Sequence, residues 1–267
     1  MTSIAPQAYF VKRIGGDKVT VDYLIPSGAA PATYAPTPRQ VVKLARSAIY
    51  VKIGHPNFIF EPVHIEPVLA ELPTITVISM WAGPEVNRPE HGAEPTAVHS
   101  HGGDETDPHI WISPNTVSSA VKVITARLMS LDPDNAGFYQ RNSDIFLDEI
   151  VNLDQEIRTE LSTVQSRKFL VYHPVWGHFA REYDLEQVEI EAQGKEPSPA
   201  QLIDIIDQAK TENIKVIFVQ QGFSRRSAEI IARETGGQIV ELNPLEYDWL
   251  NNLRKVAQIF KNSLTND

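Results

Sequence analysis

No cysteine occurs in the 267 residues, which excludes disulfides, cysteine zinc ribbons, iron–sulfur ligation and thiol catalysis together. Any metal must then be held by His, carboxylate or amide groups. Long apolar runs are missing too, since none approaches the ~18 residues of a membrane span, and the chain reads as soluble. Positive charge is scarce, with 24 Lys plus Arg against 34 Asp plus Glu and a net charge of −10. Phosphate binding needs clustered Lys and Arg, so nucleic acid is not an expected partner, and the sign mildly favours cations. Residues 1–6 lack the basic stretch and apolar core of a signal peptide. No Gly-x-Ser-x-Gly or His-Glu-x-x-His occurs, and Gly236-Gly237 lacks the GxGxxG pattern.

What is present is ordinary globular composition, 42% hydrophobic and 22% charged, in a length that suits one large domain or two lobes of about 100–150 residues. Helix and strand signals alternate along most of the chain. Strands are expected at residues 19–25, 48–53, 74–80, 169–172, 187–190, 216–219 and 239–242. Helices are expected between and around them, at 8–14, 37–45, 60–71, 115–131, 176–183, 200–212, 226–235 and 249–263. Such alternation argues for parallel α/β sheets. Phe146, Ile150, Leu153, Ile157 and Leu161 recur at helical spacing, and a helix over 133–161 would be roughly 45 Å long. The expected architecture is two α/β halves joined by that helix.

Ligands of open α/β sheets bind beyond the carboxyl ends of strands. His55, His173 and His109 satisfy that placement, the last at the exit of a polar loop. A lone strand-end imidazole is more often a capping or hydrogen-bonding side chain than a metal ligand; three in one cleft would make a zinc or manganese site. His64 and His178 fall inside helices and read as structural or solvent-facing. The loop over 89–109 holds His91, His99, His101 and His109 with Glu90, Glu94, Asp104, Glu105 and Asp107, and neither Lys nor Arg. It is either a solvated excursion or a weak metal-capture segment.

Several runs occur in a telling order: Tyr34-Ala35-Pro36-Thr37-Pro38, Asp107-Pro108-His109-Ile110-Trp111-Ile112-Ser113-Pro114, Tyr172-His173-Pro174-Val175-Trp176-Gly177-His178, Phe223-Ser224-Arg225-Arg226 and Asn243-Pro244-Leu245. Together they resemble the zinc and manganese solute-binding proteins of ABC transporters, a family that includes adhesion-like members, over nearly the whole chain. The resemblance implies an α/β protein of two lobes, each a four-stranded parallel sheet with flanking helices, joined by one long rigid backbone helix. The boundaries are then 1–132, 133–163 and 164–267. It implies a non-enzymatic, monomeric, periplasmic or extracytoplasmic protein that holds a divalent metal in the inter-lobe cleft and delivers it to an ABC permease. A binding protein for another metal or a small chelate, and a metallohydrolase, are the alternatives.

His109 and His173 fall on two ligand positions of that family. A third family His is Ala32 here, the acid that follows is Ala35, and the family's Asp before Pro-Leu is Asn243. His55 would restore a third imidazole, so the expected metal set is His55, His109, His173 and Asn243. A nitrogen-rich set without the Asp charge favours Zn(II) over Mn(II). Affinity is expected to fall as pH drops toward ~6, because ligating His must be neutral.

Overall fold

The structure, a computed structural model, describes residues 1–81, 106–191 and 194–265. His91, His99 and His101, with Glu90, Glu94, Asp104 and Glu105, lie outside the described residues, so the loop expectation falls there. The chain divides into two compact units, Met1–Val151 and Asn152–Asp267.

The first unit contains α1 (Ala5–Gly15), α2 (Pro38–Ala45), β1 (Ile49–Lys52), α3 (Glu66–Ala70), β2 (Thr76–Ser79) and α4 (Pro114–Leu131). β1 and β2 pair in parallel, Ile49 opposite Thr76 through Lys52 opposite Ser79. The expected four-stranded sheet is reduced here to two full strands and two single-bridge positions. Thr2 bridges Tyr23 on one side and Val51 on the other, both in parallel. The reason is local: α1 begins at Ala5 with Pro6 in its first turn, and Pro26, which has no N–H, follows Ile25. The pairing of residues 1–4 was not expected from the sequence. It is held by Thr2 N to Asp22 O at 2.9 Å, Leu24 N to Thr2 O at 3.0 Å and Val51 N to Met1 O at 3.0 Å.

The helix expected over 60–71 divides into a π-helical turn, Glu61–Ile65, followed by α3. Pro62 and Pro67 lie in the opening turns of the two pieces, where a missing N–H costs least. α2 opens with a capping box, Thr37 accepting the Gln40 backbone N–H, which satisfies an orphan donor of the first turn.

In the second unit β3 (Lys168–Val171), β4 (Glu186–Glu189), β5 (Val216–Gln220) and β6 (Gln238–Leu242) form one parallel sheet ordered β4-β3-β5-β6. Helices α6 (Gly177–Glu182), α7 (Pro199–Thr211), α8 (Arg226–Thr235) and α9 (Trp249–Thr265) connect and follow the strands. All five residues of β5 are buried, as a central parallel strand covered on both faces requires. Phe218 stacks on Phe260 of α9 at 4.4 Å, and Phe169 meets the same ring edge-on at 4.8 Å.

α5 (Ala136–Leu161) follows a 3-10 turn at Pro133–Asn135. Phe146, Ile150, Leu153, Ile157 and Leu161 are all buried, the stripe that the spacing predicts. Within the first unit Phe146 packs on Tyr9 and Phe10 at 5.9 and 6.2 Å. Within the second, Glu156 and Glu160 pair with Arg254 and Lys261 of α9 at 2.6 and 2.7 Å.

Candidate metal centre

In the first unit two loops carry the histidines. Two residues beyond the end of β1 stands Gly54, whose φ is +81°. A Cβ there would collide with Ser79 Oγ, so only glycine suits the turn that delivers His55. His55 is 1% exposed. Its Nδ1 accepts the backbone N–H of Asn57 at 3.1 Å, and its ring packs on Trp81 with centroids 4.9 Å apart. Asn57 Nδ2 donates to Thr106 O at 2.8 Å, which ties this loop to the segment leading into His109.

That segment shows what each residue of the Asp-Pro-His-Ile-Trp-Ile-Ser-Pro run does. Asp107 Oδ1 accepts the His109 backbone N–H at 3.0 Å and lies 2.7 Å from His109 Nδ1. Ile110, Trp111 and Ile112 are at most 1% exposed and anchor the turn in the core. Trp111 meets His109 edge-on at 5.3 Å and Phe58 at 5.8 Å. Ser113 then accepts the Thr116 N–H and caps α4.

Beneath the His55 loop lies a buried carboxyl. Glu61, 1% exposed, accepts the backbone N–H groups of Ile53 at 2.7 Å and Gly54 at 2.8 Å, and the hydroxyl of Ser3. Burial pushes its pKa up to about 7 even though those donors and Lys52 favour the charged form.

In the second unit the relevant side chains follow β3, β4, β5 and β6, at the carboxyl edge of one sheet. His173 Nδ1 lies 2.7 Å from Glu191 Oε1. Its ring stacks on Phe223, with centroids 5.0 Å apart and planes 14° apart, and its carbonyl accepts Gln220 Nε2 at 2.8 Å. Asn243 Oδ1 accepts the Leu245 N–H at 3.0 Å, while its Nδ2 donates to Glu246 Oε2 at 3.1 Å.

An ionised carboxylate can only accept. Facing Asp107 and Glu191, the Nδ1 atoms of His109 and His173 therefore carry the ring protons, and each Nε2 keeps its lone pair. Metal-ligating imidazoles are oriented in this way. His55 has the opposite arrangement: an Nδ1 that accepts leaves the neutral ring's proton on Nε2. Ala32 lies exposed in a turn and has no donor atom. Among the described residues no group of three or more His, Asp or Glu is gathered to hold a metal ion.

The ring-orienting role of these carboxylates was not expected from the sequence, which offers Asp107 as one acid of the polar loop and Glu191 as a general base for the metallohydrolase alternative. Asp107 is legible from its spacing, since an Asp two residues before a His can accept that residue's N–H. Glu191 has no local signal, because only sheet register brings it to His173.

The sequence matches the family model described as zinc-uptake complex component A, periplasmic, over residues 1–263. The chain belongs to this family. Among curated relatives it is 31% identical over 253 residues to the high-affinity zinc uptake system protein ZnuA of Bacillus subtilis, covering 92% of this chain and 78% of that one. It is 27% identical over 256 residues to the zinc-binding lipoprotein AdcA of Streptococcus pneumoniae, where it spans about half of the relative's length, 50%. Among solved structures it matches a crystal structure of ZnuA at 39% identity with a TM-score of 0.86, covering 98% and 97% of the two chains. A zinc-bound ZnuA deletion mutant matches at 38% identity and the same TM-score of 0.86, with coverage of 100% and 97%. The α/β class with parallel sheets, expected from the alternation of helix and strand signals, is that of these structures.

Proposed function

We propose that this protein is the extracytoplasmic binding component of a metal-uptake ABC system, which takes up a divalent ion, zinc, and passes it to a membrane permease without catalysis. The observation that carries the reading is the pair of imidazoles, His109 and His173, each with Nδ1 2.7 Å from a carboxylate oxygen, the arrangement that places the ring proton on Nδ1. Neutral imidazole suits zinc, and the absence of cysteine leaves nitrogen as the strongest donor type in the chain. The names of the relatives support the choice of ion and of transport system.

The proposed donors are His55, His109, His173 and Asn243. His55 joins through Nε2 only when its ring proton moves to Nδ1 and the Asn57 N–H finds another acceptor. Asn243 supplies a neutral amide oxygen, a weaker donor to a divalent ion than a carboxylate. α5 is proposed as the connection between an N-terminal lobe, 1–132, and a C-terminal lobe, 164–267, and the working form as a monomer.

Elemental analysis of gently purified protein, followed by calorimetric titration with Zn(II) and Mn(II), tests the reading. One zinc per chain and tighter binding of Zn(II) than of Mn(II) are expected. No metal retained, and no heat of binding from either ion, would overturn it.

A further inference from the structure

We propose that Glu191 is a positioning residue for metal capture: it holds the His173 ring in the Nδ1–H tautomer and fixes its direction, so that Nε2 is presented to the ion. The inference rests on the reading of His173 as a ligand and adds the residue through which that ligand is prepared.

The placement follows from sheet register. β3 and β4 run parallel with Lys168 opposite Glu186 and Val171 opposite Glu189, and the pairing continues past both strands through Ile190 N to Val171 O at 2.9 Å and Glu191 N to Tyr172 O at 3.1 Å. The same offset of 18 residues separates Glu191 from His173. Side chains at matching positions of a parallel pair point to one face, so Glu191 is delivered beside the imidazole by backbone pairing. At the other end of the same ladder the offset brings Lys168 Nζ within 3.0 Å of Glu186, an exposed pair. The two differ in what water can do: the Glu191 side chain is 6% exposed and that of His173 24%.

A carboxylate withdrawn from water is costly unless a donor meets it. At 2.7 Å the Nδ1–H of His173 supplies that donor. The charge is felt nearby: burial raises the pKa of both Tyr172 and Glu189, and the Glu191 carboxylate adds to the rise in each. Two further contacts complete the support. Phe223 lies flat against the ring, which limits rotation about χ2, and Gln220 holds the backbone carbonyl of the same residue. Carboxylate, aromatic face and carbonyl anchor together hold the ring in one orientation with its proton on Nδ1.

The test compares Glu191→Ala, Glu191→Gln and Glu191→Asp with His173→Ala in the full chain. Two readouts are taken, the His173 tautomer from nitrogen-15 NMR of the metal-free protein and the Zn(II) affinity by chelator competition. Glu191→Ala is expected to lose the Nδ1–H tautomer and to bind zinc about 10–100-fold more weakly, the usual cost of removing an outer-shell carboxylate. Glu191→Gln keeps an acceptor without the charge and is expected to retain the tautomer with a smaller loss of affinity. Glu191→Asp keeps the charge but retracts it by one methylene, and carries the test should the alanine variant fail to fold: weakened zinc with native melting supports the proposal. Wild-type tautomer and affinity in Glu191→Ala or Glu191→Asp, with zinc lost in His173→Ala, overturn the positioning role alone. Wild-type affinity in His173→Ala overturns the ligand reading itself.

Discussion

His55 Nδ1 accepts the Asn57 backbone N–H at 3.1 Å, so the most buried imidazole at a strand end holds its proton on the nitrogen that would have to bind a metal. His109 and His173 are arranged the other way, and the contrast sets the first prediction.

His55→Ala should weaken Zn(II) binding by at least about tenfold if the ring changes tautomer and ligates, the loss of one donor being worth more than an outer-shell contact, and a calorimetric titration measures this. Affinity equal to wild type would make His55 a core residue that packs on Trp81. The variant is also expected to melt earlier, because the ring is 1% exposed and its removal leaves a cavity.

Asn243→Asp should tighten zinc binding and tighten Mn(II) binding more, since carboxylate oxygen suits manganese better than a nitrogen-rich set does. The Asp retains the acceptor for Leu245 N–H but exchanges the hydrogen bond to Glu246 for like-charge repulsion. Unchanged affinity for both ions in paired titrations would remove Asn243 from the donor set.

Gly54→Ala should destabilise the first unit by about 1–3 kcal/mol from backbone strain alone. Its φ is +81° and the added Cβ would collide with Ser79 Oγ. Ser79 Oγ donates to Trp81 O at 2.7 Å, so the ring that packs on His55 should shift as well. Denaturant titration checks the first effect, and an unaltered midpoint would contradict it.

Glu61 makes stability depend on pH. Its folded pKa, about 7, exceeds the ~4.3 of an unfolded glutamate, and a difference of that size is worth about 4 kcal/mol. Between the two values the folded protein binds more protons than the unfolded chain, so stability falls as pH rises from about 4.3 through about 7 and is level above. Urea unfolding across that window should show the slope in the wild type and lose it in Glu61→Gln. A slope that persists in the variant would place its origin elsewhere.

Elements with a long period or strong punctuation are legible in the sequence itself. The α5 stripe, the Thr37-Pro38 start of α2 and the Gly236 end of α8 each depend on residues within a few positions. The pairing of Thr2 with Tyr23 and Val51 is not legible there, because four residues before a helix carry too little alternation to announce a strand. Pro62 and Pro67 are visible inside an expected helix, but that the first would open a π turn depends on packing around Glu61.

The same division runs through the candidate centre. Composition by itself determined that no cysteine thiolate ligand exists, and strand-end placement singled out His55, His109 and His173. Tertiary structure decided what each ring can do, since a tautomer is set by the atom facing Nδ1. For His109 that atom comes from Asp107, two residues away. For His173 it comes from Glu191 through the β3–β4 register, and for His55 it is the Asn57 N–H. Pairing across a sheet and the direction of one backbone N–H are properties of the folded chain, and no spacing of letters contains them.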